Sequence, residues 1–110
     1  MLVYANFQGE PITQADWFHL LCNPTYGHVA SDSFMGVVVD TSWLGVSRDN
    51  DSKALWFITR AWVNKDDTPK SKGLKELAKT PIVRFSATVR DARRLHQEVL
   101  ADVKILGKKT

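Results

Sequence analysis

Two apolar runs rich in β-branched and aromatic residues constrain this chain more than any other feature. The first is Val37-Val38-Val39-Asp40-Thr41-Ser42-Trp43-Leu44-Gly45-Val46, and the second is Ala54-Leu55-Trp56-Phe57-Ile58-Thr59-Arg60-Ala61-Trp62-Val63. Between them lies the polar stretch Arg48-Asp49-Asn50-Asp51-Ser52-Lys53, a connection of hairpin length. Side chains of this type fit a pleated surface, so the simplest expectation is an antiparallel hairpin. A period of two puts Leu55, Phe57, Thr59, Ala61 and Val63 on one face of the second strand, and that face reads as core. Trp56, Ile58, Arg60 and Trp62 fall on the other. Such a mixed face has two readings: a subunit interface or stacking platform with a polar handle, or a covered face along which Arg60 extends its stem.

The flanking segments supply the other layer. Leu2, Val3, Tyr4 and Phe7 precede the turn-like Gly9-Glu10-Pro11, which predicts a short strand or extended arm. Thr13 stands three residues before Asp16, at capping-box spacing, and Trp17, Phe18, Leu20 and Leu21 follow at helical intervals until Asn23-Pro24 stops the helix. Residues 64–80 are hydrophilic and lysine-rich and read as an exposed excursion, with Leu74, Leu77 and Ala78 able to form one amphipathic turn. Pro81-Ile82-Val83-Arg84-Phe85-Ser86 predicts a third strand. Thr88 and Asp91 repeat the capping spacing ahead of Val89, Ala92, Leu95, His96, Val99, Leu100 and Val103, a helical stripe that ends before Gly107. The expected fold class is α+β: an antiparallel sheet of three to four strands with two main helices packed on it. The 110 residues, 44% of them hydrophobic, suffice for one domain spanning residues 1–110.

Several chemistries lack a signature. Cys22 is the only cysteine, which excludes an intrachain disulfide, and its place in an apolar stretch predicts a buried, inert thiol. His19, His28 and His96 show no metal-ligand spacing, and His96, inside the apolar stripe, reads as a satisfied, partly buried histidine. No nucleophile elbow surrounds Ser33, Ser42, Ser47 or Ser86, and the scattered glycines form no phosphate-cradling motif. Asp49 with Asp51, and Asp66 with Asp67, sit in polar connections typical of solvated turns. No cofactor is expected, and the chain is not expected to be an enzyme. No apolar run approaches the roughly 20 residues needed to cross a bilayer, and no secretion signal opens the sequence, so a cytoplasmic protein is expected.

The formal net charge of +3 attracts anions only weakly, and its placement matters more than its sum. Residues 65–79 hold five lysines, while Arg84, Arg90, Arg93 and Arg94 bracket the start of the last helix. Arg84, Phe85 and the free backbone N–H groups of that helix start could converge on an anion, with Arg48 adding charge. The candidate ligand-binding residues are Arg48, Trp56, Arg60, Trp62, Arg84 and Phe85.

The segments Trp17-Phe18, His28-Val29-Ala30, Val39-Asp40-Thr41-Ser42-Trp43-Leu44-Gly45-Val46, 54–62, and Arg84-Phe85-Ser86 with Ala92 and His96 together resemble a group of small phage and mobile-element proteins. That group reads V-S-T-V-F-L-G-L-D-H, then P-L-L-F-E-T-M-V-F, then R-Y-S-T and a helix carrying A and H. Val39, Thr41, Leu44, Gly45, Leu55, Phe57, Thr59, Arg84, Ser86 and His96 match it. Ser47 and Arg48 stand in place of its Asp-His, Ile58 stands in place of its Glu, and the last segment is one residue longer. The group's pattern is similar to that of phage anti-defence sponge proteins of the Thoeris-inhibiting kind. The resemblance implies a homo-oligomer in the host-cell cytoplasm that sequesters a cyclic-nucleotide immune signal without cleaving it. A protein-binding inhibitor or assembly factor acting on a host protein, and a weak nucleic-acid binder using the lysine-rich stretch, are the other expectations.

Overall fold

A computed structural model describes residues 2–48, 54–64, 69 and 71–108. The connection around residues 49–53 and part of the lysine-rich stretch lie outside the described residues. In chain order the elements are β1 (Leu2–Ala5), β2 (Pro11–Ile12), α1 (Gln14–Leu21), β3 (His28–Phe34), β4 (Val37–Trp43), β5 (Val46–Arg48), β6 (Phe57–Val63), α2 (Lys72–Lys79), β7 (Ile82–Ser86) and α3 (Val89–Gly107). The fold is α+β, as the patterning predicts. It has an additional helix and a second, smaller sheet. No described helix is long and apolar enough to cross a membrane.

The two predicted runs are antiparallel neighbours over Val37–Trp43 and Phe57–Val63, with Thr41 opposite Thr59 and Trp43 opposite Phe57, inside a four-stranded sheet of order β3-β4-β6-β7. The first run, however, breaks at Leu44-Gly45, and Val46–Arg48 pairs with β1 in the other sheet, so Arg48 is a strand residue and not part of a hairpin connection. Alternation along β4 and β6 buries Val37, Val39, Thr41, Trp43, Phe57, Thr59 and Ala61. α2 and α3 cover this face, contributing Leu74, Leu77, Val99 and Val103 to one cluster with Val37, Val39 and Ala61. The opposite face of β4 and β6 carries Val38, Asp40 and Ser42 beside Trp62, Arg60 and Ile58.

β3 is a strand the pattern reading did not find. Its sequence, His-Val-Ala-Ser-Asp-Ser-Phe, mixes polar and small residues, as suits a sheet edge, where polar groups discourage pairing with other chains. It joins β4 through Met35-Gly36, both at positive φ (50° and 83°), the geometry of a tight type I′ turn.

Where the chain leaves the large sheet, tryptophan indoles hold the small sheet of order β2-β1-β5 in place. Trp43 Nε1 donates to Ala5 O at 3.0 Å, and Trp17 Nε1 donates to Leu44 O at 3.0 Å. A second cluster of Trp43, Phe57 and Ala92 gathers Phe7, Trp17, Tyr26 and Trp56 around this junction. Trp43, Trp17 and Trp56 therefore pack within the chain, and of the four tryptophans Trp62 is left for the outer sheet face.

Each helix starts at the cap the spacing predicts or at an equivalent one. Thr13 and Thr88 accept from the N–H groups of Asp16 and Asp91, both at 3.1 Å, and Ser71 accepts from Leu74 N at 3.1 Å. Thr88→Ala, which leaves an N–H at the start of the long helix without its partner, is expected to lower the unfolding free energy by about 1 kcal/mol in urea denaturation.

Two expectations change on the structure. Cys22 is exposed. It caps α1, a helix with no fully buried residue whose Phe18 and Leu21 also face outward, so an apolar stretch there did not mean burial. The 64–80 segment is not wholly an exposed excursion: Leu74 and Leu77 are core residues, while Lys72, Lys75 and Lys79 point outward. Burial of this one amphipathic turn is secured by contact with the end of α3, where Ser71 Oγ donates to Leu106 O at 3.2 Å.

Candidate ligand-binding hollow

The expected site residues do not share one surface. β7 pairs with β6 so that Phe85 lies beside Ile58 and Val83 beside Arg60, while Arg84 lies beside the buried Thr59. Adjacent residues on a strand face opposite sides, so Arg84 departs on the helix side and Phe85 on the open side. The Arg84 guanidinium turns back along the strand, Nη1 donating to Val83 O at 2.9 Å. At the start of α3, Asp91 already places a carboxylate in the first turn, the favourable position for negative charge at a helix start, and it lies 3.6 Å from Arg94. Arg84 and the helix start therefore do not converge on a common anion position.

Trp56 also leaves its expected company. Residues 54–56 precede the first ladder residue, Phe57, so the alternation of β6 does not extend to them. Trp56 lines a hollow of about 320 Å³ with Phe7, Gly9, Phe57, Thr88 and Val89. Arg60 and Trp62 remain together on the open face, the guanidinium carbon 5.5 Å from the indole centroid, within cation–π range.

Arg48 and Phe85, far apart in sequence, come together. They border a hollow of about 440 Å³, with Leu2, Leu44, Val46, Ser47 and Leu55 as its remaining lining. β5 brings Arg48 opposite Leu2 on β1, and β7 brings Phe85 to the edge of the large sheet, so the hollow occupies the seam between the two sheets. Its volume falls in the usual range for small-molecule sites, and among the described residues its walls are mostly apolar, with Ser47 and the cation Arg48 as the polar groups. Phe85 is 47% exposed, which leaves a ring face available for stacking. Arg48 is exposed and has no ion-pair partner among the described residues. The arrangement suits a flat, partly apolar anion: the ring stacks and the guanidinium takes a bidentate charge-assisted contact.

A polar network that the pattern reading reached only in part lies on the helix side. His96 on α3 is satisfied, as its place in the apolar stripe predicts, and it is completely buried (0% exposed) where partial burial is the expectation. Its Nε2 lies 2.7 Å from Asp32 Oδ2 on β3, and its Nδ1 lies 2.8 Å from Thr41 Oγ1 on β4, which in turn lies 2.8 Å from Thr59 Oγ1 on β6. An ionised carboxylate only accepts, so Nε2–H donates to Asp32. With a neutral imidazole, Nδ1 then accepts from Thr41, and Thr41 accepts from Thr59. Acid, imidazole and hydroxyl line up in the order used for nucleophilic catalysis. The Thr41 hydroxyl, however, is enclosed at 0% exposure and already committed to two partners, which closes it to a substrate. The network instead clamps one helix to three adjacent strands. The signal in the sequence was a histidine at a core position of a helical stripe, together with a threonine at a core position in each strand of the hairpin.

Among the described residues no group of three or more His, Cys, Asp or Glu could hold a metal ion. No protein-family model, curated protein or solved structure matches this chain.

Proposed function

We propose that this chain is a non-catalytic binder that sequesters a nucleotide-type signal in the hollow between its two sheets. The observation that carries the reading is the meeting of Arg48 and Phe85 on one apolar hollow of about 440 Å³. Arg48 pairs with a phosphate oxygen, Phe85 stacks on the base, and Leu2, Leu44 and Leu55 receive the apolar edge. A sponge of this kind needs an anion contact and a stacking face and no catalytic base, so the bound phosphodiester is released intact. Service as a phage-type anti-defence sponge in the host-cell cytoplasm is supported by the resemblance of the strand and helix motifs to those phage and mobile-element proteins.

Titration with a panel of cyclic mono- and dinucleotides, followed by heat denaturation and mass analysis of the released ligand, tests the proposal. Binding of at least one member and its recovery unchanged is expected. Arg48→Ala and Phe85→Ala are each expected to weaken binding about tenfold or more, from the loss of a charge-assisted contact and of a stacking face respectively. A panel that gives no binding, or a ligand recovered cleaved, overturns it. A stoichiometric host protein captured without competition from nucleotides would favour the alternative of a protein-binding inhibitor.

A further inference from the structure

Among the described residues no helix covers the outer face of the four-stranded sheet, because α2 and α3 both pack on the other side. Register places Val38 beside Trp62, Asp40 beside Arg60, and Ser42 beside Ile58, with Val83 and Phe85 continuing the face onto β7. Val83 and Phe85 are 42% and 47% exposed. Among the described residues no lysine stands on this face, and tryptophan, phenylalanine and arginine are the residues enriched where proteins meet. At the centre, Asp40 and Arg60 are cross-strand neighbours, yet they form no ion pair with each other or with any other described residue.

We infer that this face docks a second copy of the chain across a two-fold axis, with Asp40 of each subunit facing Arg60 of the other. A surface carrying one positive and one negative group side by side is self-complementary under such an axis, since rotation by half a turn exchanges the two signs. Aligned packing of two open sheets face to face is a standard way to bury apolar strand residues, here Val38, Ile58, Trp62 and Val83. Four strands about 4.8 Å apart and five to seven residues long give a platform of roughly 300 Å² in projection. A stable interface needs about 800 Å² per partner, so the contact extends past Phe85 over Leu2 and the seam between the sheets. The second copy thereby covers the mouth of the Arg48–Phe85 hollow. This last step deepens the nucleotide-binding reading and rests on it; the docking itself does not.

Charge exchange tests the inference without any ligand. The wild-type chain of 12.4 kDa is expected to run as a dimer of twice that mass in size-exclusion chromatography with light scattering. Arg60→Asp sets Asp against Asp at both contacts, and Asp40→Arg sets Arg against Arg, so each variant alone is expected to be monomeric. An equimolar mixture of the two restores an Asp–Arg contact at both positions and is expected to recover the dimer. Neither position is in the core, and circular dichroism of each variant should match the wild type. A wild type monomeric at all concentrations, a single variant that stays dimeric, or a mixture that stays monomeric overturns the inference. An Asp40–Arg60 attraction acting only within one chain gives that last result. Arg48→Ala separates this inference from the nucleotide reading, because it is expected to lose the ligand and keep the dimer.

Discussion

His96→Ala is expected to lower the unfolding free energy by roughly 3–5 kcal/mol, measured by urea denaturation followed through tryptophan fluorescence. The substitution empties the volume of a fully buried ring and strips Thr41 of one of its two hydrogen-bond partners in the interior. It also cuts the link from α3 to β3, because among the described residues Asp32 has no side-chain partner besides His96, and its side chain is 46% exposed. Asp32 itself rehydrates, so the loss arises on the Thr41 and Thr59 side and from the cavity. Against the typical 5–15 kcal/mol that holds a domain together, this is a large fraction. The triple variant Thr41→Val, Thr59→Val, His96→Leu removes every buried member of the network while keeping the volumes close. It is expected to recover most of the loss, since replacing both partners of a buried hydrogen bond with apolar groups of similar shape is nearly neutral. A cost below 1 kcal/mol for His96→Ala would show that the network does not clamp the helix to the sheet.

Gly45→Ala is expected to cost about 3 kcal/mol or more. Gly45 sits at φ +72°, where a side chain clashes with its own backbone at a cost of roughly 1–2 kcal/mol. A Cβ there would stand 2.2 Å from Cζ2 and 2.3 Å from Cε2 of Trp43. That indole is 5% exposed and fixed by its bond to Ala5 O, so it has nowhere to move without loosening the seam between the sheets, an overpacking cost of about 1–3 kcal/mol. Gly9→Ala supplies the control. It shares the positive φ (+84°), but its nearest neighbour, Trp56 Cδ1, is 3.9 Å away, so only the backbone term of about 1–2 kcal/mol is expected. Near-ultraviolet circular dichroism should change for Gly45→Ala and stay close to wild type for Gly9→Ala. Equal losses in the two variants would remove Trp43 from the explanation.

Local signals account for the elements that the pattern reading located. The β-branched alternation of β4 and β6, the Ile82-Val83-Arg84-Phe85-Ser86 strand before α3, which starts one residue after the expected Pro81, and the Thr13 and Thr88 caps are all properties of a few consecutive residues, and the structure has each. β3 escaped because an edge strand can be polar on both faces. α2 was legible only as one amphipathic turn, because its burial depends on α3 arriving at Gly73, where a Cβ would stand 2.3 Å from Leu106 O. Of the candidate site, the residue types were legible and their grouping was not. Arg84 and Phe85 are sequence neighbours on opposite faces of β7. Arg48 and Phe85 are 37 positions apart and share a hollow.

The sequence by itself determined the fold class, the antiparallel strand pair at the centre of the sheet, and which face of that pair is buried, because hydrophobic periodicity and capping act within one or two turns of chain. Only the tertiary structure decided what the mixed face is. Trp56 lies before the first ladder residue and turns into the junction of the two sheets, while Arg60 and Trp62 stay outside. α2 and α3 fall on one side, so among the described residues no helix covers that outer face, and the seam between the two sheets becomes the hollow. The reason is physical: alternation fixes the direction of a side chain relative to its own strand, whereas what it meets is set by the packing of segments remote in sequence.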